Sequence, residues 1–167
     1  MLTSVMLVVS NTSPLSNLAI IGRLDLVREQ LGSVTIPPGV QAGLSRHPSP
    51  GARSALEKAL EDGWLSVVPL IAAVPVELAS ALDLGEAEAL ALALETKAHL
   101  VLLDESAARH KASQLGLAHT GVLGLLRQAR QTNRVPSLKA EILRLRTEAH
   151  FFVSPALEKS LLISVGE

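Results

Sequence analysis

The residues best suited to chemistry lie between Leu84 and Glu105, in LGEAEALALALETKAHLVLLDE: Glu86 and Glu88 at one end, Asp104 and Glu105 at the other. Carboxylates are hard oxygen ligands and take or give protons, so acids gathered at one edge of a fold can act on a cation or on a reacting hydroxyl. Residues 87–94 between them are almost pure Ala and Leu, the strongest helix formers, and predict a helix. Because it is apolar on nearly every side, that helix must be buried. Glu86 and Glu88 fall in its first turn, where the helix dipole favours negative charge. Residues 100–103, four apolar side chains closed by Asp104, predict a short strand buried on both faces, as in a parallel sheet. Asp104 then stands at the carboxyl end of a strand, the side on which open α/β sheets bind ligands.

Other chemistries are poorly served. With no cysteine, disulfides, thiolate catalysis and Cys-ligated metals are excluded. His47, His99, His110, His119 and His150 show no ligand spacing, which argues against a zinc site and for surface or hydrogen-bonded roles. The serines lack a G-x-S-x-G setting, and neither a G-x-x-x-x-G-K-[ST] nor a G-x-G-x-x-G is present. Only 2% of residues are aromatic, so base-stacking platforms of the RRM type are disfavoured. Charge is uneven. Residues 1–103 carry 6 Lys/Arg against 10 Asp/Glu, net −4, and residues 104–167 carry 9 against 6, net +3. A mildly basic second half is compatible with a polyanion partner. Arg109 and Lys111 on one helix, and Arg127, Arg130 and Arg134 at helical spacing, are the candidates to guide a phosphate backbone, against the plainer reading of a solvated face.

The chain of 167 residues, 48% apolar, predicts one domain over residues 1–167, with a core at about 4–131 and a helical extension at about 137–167. No segment reads as a signal or a membrane span, which predicts a soluble cytoplasmic protein. Strands are expected at residues 5–9, 34–36, 64–68, 100–103 and 117–120, with helices between them, giving an α/β fold with a mostly parallel sheet of four or five strands. Ser10-Asn11-Thr12-Ser13-Pro14 reads as a strand-to-helix turn, and Arg46-His47-Pro48-Ser49-Pro50-Gly51 as the clearest flexible loop.

In order and spacing, VVSNTSPLSNLAIIGRLDLV, VTIPPGV, DGWLSVV, LGEAEALALAL, VLLDE and LGLAHTGVLGLL resemble the PIN-domain family, specifically its prokaryotic branch with an NTSPL-like opening, over residue 7 to about residue 130. The resemblance implies a three-layer α/β/α sandwich and a ribonuclease dependent on Mg²⁺ or Mn²⁺, often the toxin of a toxin–antitoxin pair. RNA, a small antitoxin protein and a second copy of the chain are the partners it implies. It also implies three or four carboxylates at the carboxyl edge of the sheet. Phosphodiester hydrolysis must neutralise phosphate charge and deprotonate a water, and a divalent ion held by oxygen ligands does both.

Carried over one by one, the family's acids are only partly present. Asn11 stands in the first position, where an amide oxygen can coordinate without bringing charge, and Gly43 stands where a glutamate is expected in the helix after the second strand. Glu88 matches the third acid best and Glu86 second; two residues apart on a helix, they cannot share a face. Asp104 matches the fourth, with Glu105 adjacent and Thr12 and Ser13 as hydroxyl partners. The resemblance thus assigns catalysis to Asn11, Glu88 and Asp104, and the metal to Glu88, Asp104 and Glu86. Plainer roles compete: first-turn charges for Glu86 and Glu88, helix caps for Asn11, Thr12 and Asp104. Two functions remain, a metal-dependent ribonuclease with a depleted acidic site, or a PIN-like protein that has lost catalysis and serves binding or assembly.

Overall fold

The structure, a computed structural model, describes residues 6–167. Five strands, β1 (Val8–Ser10), β2 (Val34–Ile36), β3 (Leu65–Val67), β4 (Leu100–Leu102) and β5 (His119–Thr120), form one sheet in the order β3-β2-β1-β4-β5. Every pairing is parallel. Each of the five strands overlaps the stretch expected from the sequence, but β1 is shifted towards the carboxyl side, taking in Ser10 and leaving out residues 6 and 7, and residue 5 lies outside the described residues. The central strands are continuous apolar runs because both faces are covered. Val8 and Leu102 pack into one core layer, and Val9, Val101 and Leu103 into the other, the period-2 alternation of a pleated strand.

One face is covered by α1 (Thr12–Ile20), α2 (Asp25–Leu31), α4 (Pro50–Asp62), α8 (Val122–Gln131) and α9 (Leu138–Glu148), through Leu15, Leu18, Val27, Leu56, Leu126 and Ile142 among others. The other carries α5 (Val76–Ala81), α6 (Leu84–Thr96) and α7 (Ser106–Gln114). The chain is therefore a three-layer α/β/α sandwich. In α6 the residues from Ala87 to Ala93 are all buried except Glu88, the consequence of its Ala/Leu composition. Helix α3 (Pro38–Ser45) starts on the Pro37-Pro38 pair that ends β2 and turns Val40 and Leu44 inward. Helix α10 (Pro155–Ser164) has no buried residue. No described helix is long and apolar enough to cross a membrane.

The Arg46–Gly51 segment departs from the expected flexible loop. His47 is buried, with Nε2 2.7 Å from Ser16 Oγ, Nδ1 accepting the Ser49 N–H at 3.0 Å, and its carbonyl accepting from Arg53 at 2.9 Å. Proline and glycine content signalled the turn correctly but says nothing about long-range hydrogen bonds. Since Nδ1 accepts, a neutral His47 keeps its proton on Nε2 and donates it to Ser16. The pair is a bolt between α1 and α4, with the wrong tautomer for a serine nucleophile and its base.

Candidate active site

A parallel sheet puts the carboxyl ends of all five strands on one edge, and in this strand order the chain reverses direction between β1 and β4. That is the topological switch point, where α/β sheets open a crevice. Asn11 follows β1 and Glu105 follows β4, and both line a cleft of about 470 Å³ together with Thr12, Ser13, Arg46, Asp83 and Glu86.

Asn11 is fixed by its N–H to Leu102 O at 3.0 Å and by Ser10 Oγ donating to its carbonyl at 2.8 Å. It occupies the N-cap position of α1, yet its side chain makes no cap hydrogen bond. Only 4% exposed, that side chain faces the cleft: its Oδ1 lies 3.4 Å from where a Cβ on Gly85 would stand. The first turn of α6 thus packs directly over Asn11. Thr12 Oγ1 sits between α3 and α6, 3.4 Å from a Cβ position on Gly43 and 3.6 Å from one on Gly85. The position that lacks the family's glutamate is therefore directed at Thr12, a residue of the cleft wall.

Asp83 caps α6, its Oδ1 accepting the Glu86 N–H at 2.8 Å. Glu86 is buried beside it. Burial first, and then the Asp83 charge, raise the Glu86 carboxyl from 4.5 to about 7; a side-chain hydrogen bond with Asp83 and the Glu105 charge add to this, while a backbone hydrogen bond at Asp83 opposes it. Of the two glutamates in the first turns of α6, Glu86 faces the cleft.

Glu88 is directed elsewhere. Its Oε2 accepts the Gly39 N–H at 2.8 Å, so the carboxylate caps the first turn of α3, and a Cβ at residue 39 would collide with it. Asp104 also turns away from the cleft: Oδ1 accepts the Val122 N–H at 2.8 Å and Oδ2 the Asn17 amide at 3.3 Å. It caps α8 rather than the helix that directly follows it. Burial raises its pKa, against the lowering effect of those two hydrogen bonds. The structure thus brings together Asn11, Thr12, Ser13, Glu86 and Glu105 of the sequence candidates and leaves Glu88 and Asp104 as ties between elements.

Sequence reasoning missed Asp83 and Arg46. Asp83 had the available signal of an N-cap residue before a helix; Arg46 is three residues beyond Gly43, where a helical repeat would bring it to the same side. Among the basic candidates, Arg130 pairs with Glu167 at 3.1 Å and Arg134 with Glu29 at 3.2 Å, Lys111 lies against Leu78 and Leu115 under α5, and Arg109 and Arg127 share a separate pocket. A further cleft of about 340 Å³, with Trp64 in its wall, is at the opposite edge of the sheet, and its charges pair internally, Arg28 with Asp25 and Lys58 with Asp62.

The fold and the site together define a parallel three-layer α/β/α protein with a carboxylate-lined cleft at its switch point. A family model described as a PIN domain matches residues 7–167. The chain belongs to the PIN-domain family. No curated protein matches it.

PIN domains generally use divalent metals. Among the described residues, no three His, Asp or Glu side chains are grouped to hold one. Besides Glu105, the donors in the cleft are the crowded Asp83 and Glu86 carboxylates and the Asn11 amide oxygen. Mg²⁺ commonly keeps several waters and takes one or two carboxylates plus substrate oxygens. These donors fit an ion held in that manner, which would also relieve the repulsion between the two acids; they do not fit an all-protein cage.

Proposed function

We propose that the cleft hydrolyses RNA phosphodiester bonds with the help of Mg²⁺ or Mn²⁺. The observation that carries this reading is the contact of Asp83 and Glu86 beside Asn11 at the switch point of a PIN fold. Asp83, Glu86 and Asn11 Oδ1 would hold the ion, which when bound supplies charge against the phosphate and lowers the pKa of water. Arg46, across the cleft, faces the phosphate oxygens that do not react. The first-turn N–H groups and hydroxyls of Thr12 and Ser13 do the same at the positive end of α1. Exposed Glu105 accepts the proton of the attacking water. In the metal-free cleft Glu86 holds its proton up to about pH 7, so an ion must displace that proton to bind, and cleavage at limiting Mn²⁺ should rise with pH below that value. The toxin role, an antitoxin partner, a homodimer and a cytoplasmic setting accompany this reading through family membership alone.

The test is cleavage of a single-stranded RNA in Mn²⁺ or Mg²⁺ by the wild type, Asp83→Asn and Glu86→Gln. Each variant should lose about 100-fold or more in rate, the scale of losing a positioned acid–base or ligand group. Cleavage at the wild-type rate in both would remove the assignment. A second reading, a PIN protein without catalysis that acts in binding or assembly, is favoured by one observation: Glu88 and Asp104 are engaged in capping α3 and α8, and Gly43 brings no acid. It requires that Mn²⁺ titrated into the protein release no heat of binding and that RNA remain intact.

A further inference from the structure

Asp104 and Glu105 are neighbours in sequence but line different spaces. Glu105 faces the acidic cleft, and Asp104 faces a second pocket of about 240 Å³ between α7, α8 and the C-terminal segment. This pocket combines Arg109 of α7, Arg127 of α8 and His119 of β5 with an apolar wall that includes Leu123, Phe151 and Leu157. On the α8 side it is bordered by Gly121 and Gly124, so no side chain from those positions fills it. Gly121 is also required by the cap, since a Cβ there would collide with Asp104 Oδ1 and lie 2.9 Å from Leu103 O.

The charges in this pocket are unlike those around it. Nearby arginines of the C-terminal half are paired: Arg130 with Glu167, Arg134 with Glu29, Arg146 with Glu158. Among the described residues, Arg109 and Arg127 have no carboxylate within ion-pair distance. The one acid in the wall, Asp104, already receives Val122 and Asn17. His119 bonds Ser113 Oγ through Nε2 at 2.9 Å, and burial together with the Arg109 charge lowers its pKa, so it is a neutral polar wall rather than a third cation. Two open guanidiniums beside an apolar wall with one aromatic ring suit an anion attached to a flat apolar group. The volume is below the roughly 300–1,000 Å³ of drug-sized sites, room for one base and sugar.

We propose that this pocket is a nucleotide subsite for single-stranded RNA: Arg109 and Arg127 hold the backbone phosphate next to the acidic cleft, and Phe151 with Leu123 and Leu157 receives the base. Neighbouring residues stand in the two walls, Glu105 in one and Asp104 in the other, which sets the subsite beside the cleft. The choice of RNA rests on the nuclease reading above; the subsite itself is tested without catalysis.

Binding is measured by fluorescence anisotropy of a 5′-fluorescein single-stranded oligoribonucleotide of about eight nucleotides, in EDTA so that no cleavage occurs. The wild type should bind, with affinity falling as salt rises. Arg109→Ala combined with Arg127→Ala should weaken binding by about 10-fold and reduce the slope of log K against log salt by about 0.7 to 1.4, the loss of one or two phosphate contacts on a single strand. Both side chains are exposed, so the variant folds, as circular dichroism would verify. Phe151→Leu keeps the apolar packing and removes the ring; it should cost about fivefold with the salt slope unchanged, the low end of base stacking. Unchanged affinity and slope in the arginine variant, or no binding by the wild type, overturns the subsite. If the wild type binds through the arginines but does not cleave in Mn²⁺, the subsite stands and the catalytic reading falls. If Glu86→Gln abolishes cleavage while the arginine variant binds normally, the reverse holds.

Discussion

In the folded chain the Glu86 carboxyl holds its proton up to about pH 7, against 4.5 for a free glutamate, because it is buried beside Asp83. Between those values the folded state binds a proton that the unfolded state has released. Stability is therefore greatest at the acid end, falls as pH rises from 4.5 to about 7, and is unaffected by this group above that. Glu86→Gln cannot titrate. Its melting temperature should run level with or below the wild type near pH 4.5, gain on it steadily through the window, and keep a constant offset beyond about pH 7. Parallel melting curves for the two proteins across the window would show that Glu86 titrates like an exposed acid. Such crowding has a functional logic, since like charges forced together at an edge create the demand for a cation or a proton.

The element that decides the shape of the cleft is α6, and the two glutamates near its start divide the labour. Glu86 faces the cleft, and Glu88 joins α6 to α3 through the Gly39 N–H. A hydrogen bond to a charged group is worth about 1.5–3 kcal/mol, and less when half exposed. Glu88→Ala should accordingly destabilise the fold by about 1–2 kcal/mol, measured by urea denaturation, while Mn²⁺ binding by calorimetry stays as in the wild type. Glu86→Gln should do the opposite, weakening Mn²⁺ binding with little loss of stability above pH 7. Lost Mn²⁺ binding with unchanged stability in Glu88→Ala would instead place Glu88 among the ligands, as the family's spacing suggests. This division was not legible in the sequence. A helix that is apolar on nearly every side has no amphipathic phase, so nothing in its pattern says which way residue 86 or 88 points.

At the scale of the molecule, the sheet was legible because parallel strands are buried on both faces and stand out as short apolar runs between proline, glycine and capping residues. The fates of Arg130 and Arg134 were not, because their partners Glu167 and Glu29 lie 37 and 105 residues away in sequence. The same long-range contacts bear on the C-terminal helices. Leu138, Ile142 and Leu145 of α9 are buried in the core layer that contains Trp64, the single tryptophan. The Glu167 carboxylate accepts from Leu138 N at 2.7 Å and Ser137 Oγ at 2.9 Å and pairs with Arg130, so it fastens the start of α9 to α8. These hydrogen bonds outweigh burial and hold its pKa below the usual value. Residues 137–167 should therefore unfold with the sheet rather than as an independent appendage. Urea titrations followed by Trp64 fluorescence and by far-UV circular dichroism should coincide in one transition, and Glu167→Ala should move both midpoints down together, by about 1 kcal/mol for the lost hydrogen bonds. Helical signal that disappears at lower urea than the Trp64 change would mean that α9 and α10 come off while the five-stranded core persists.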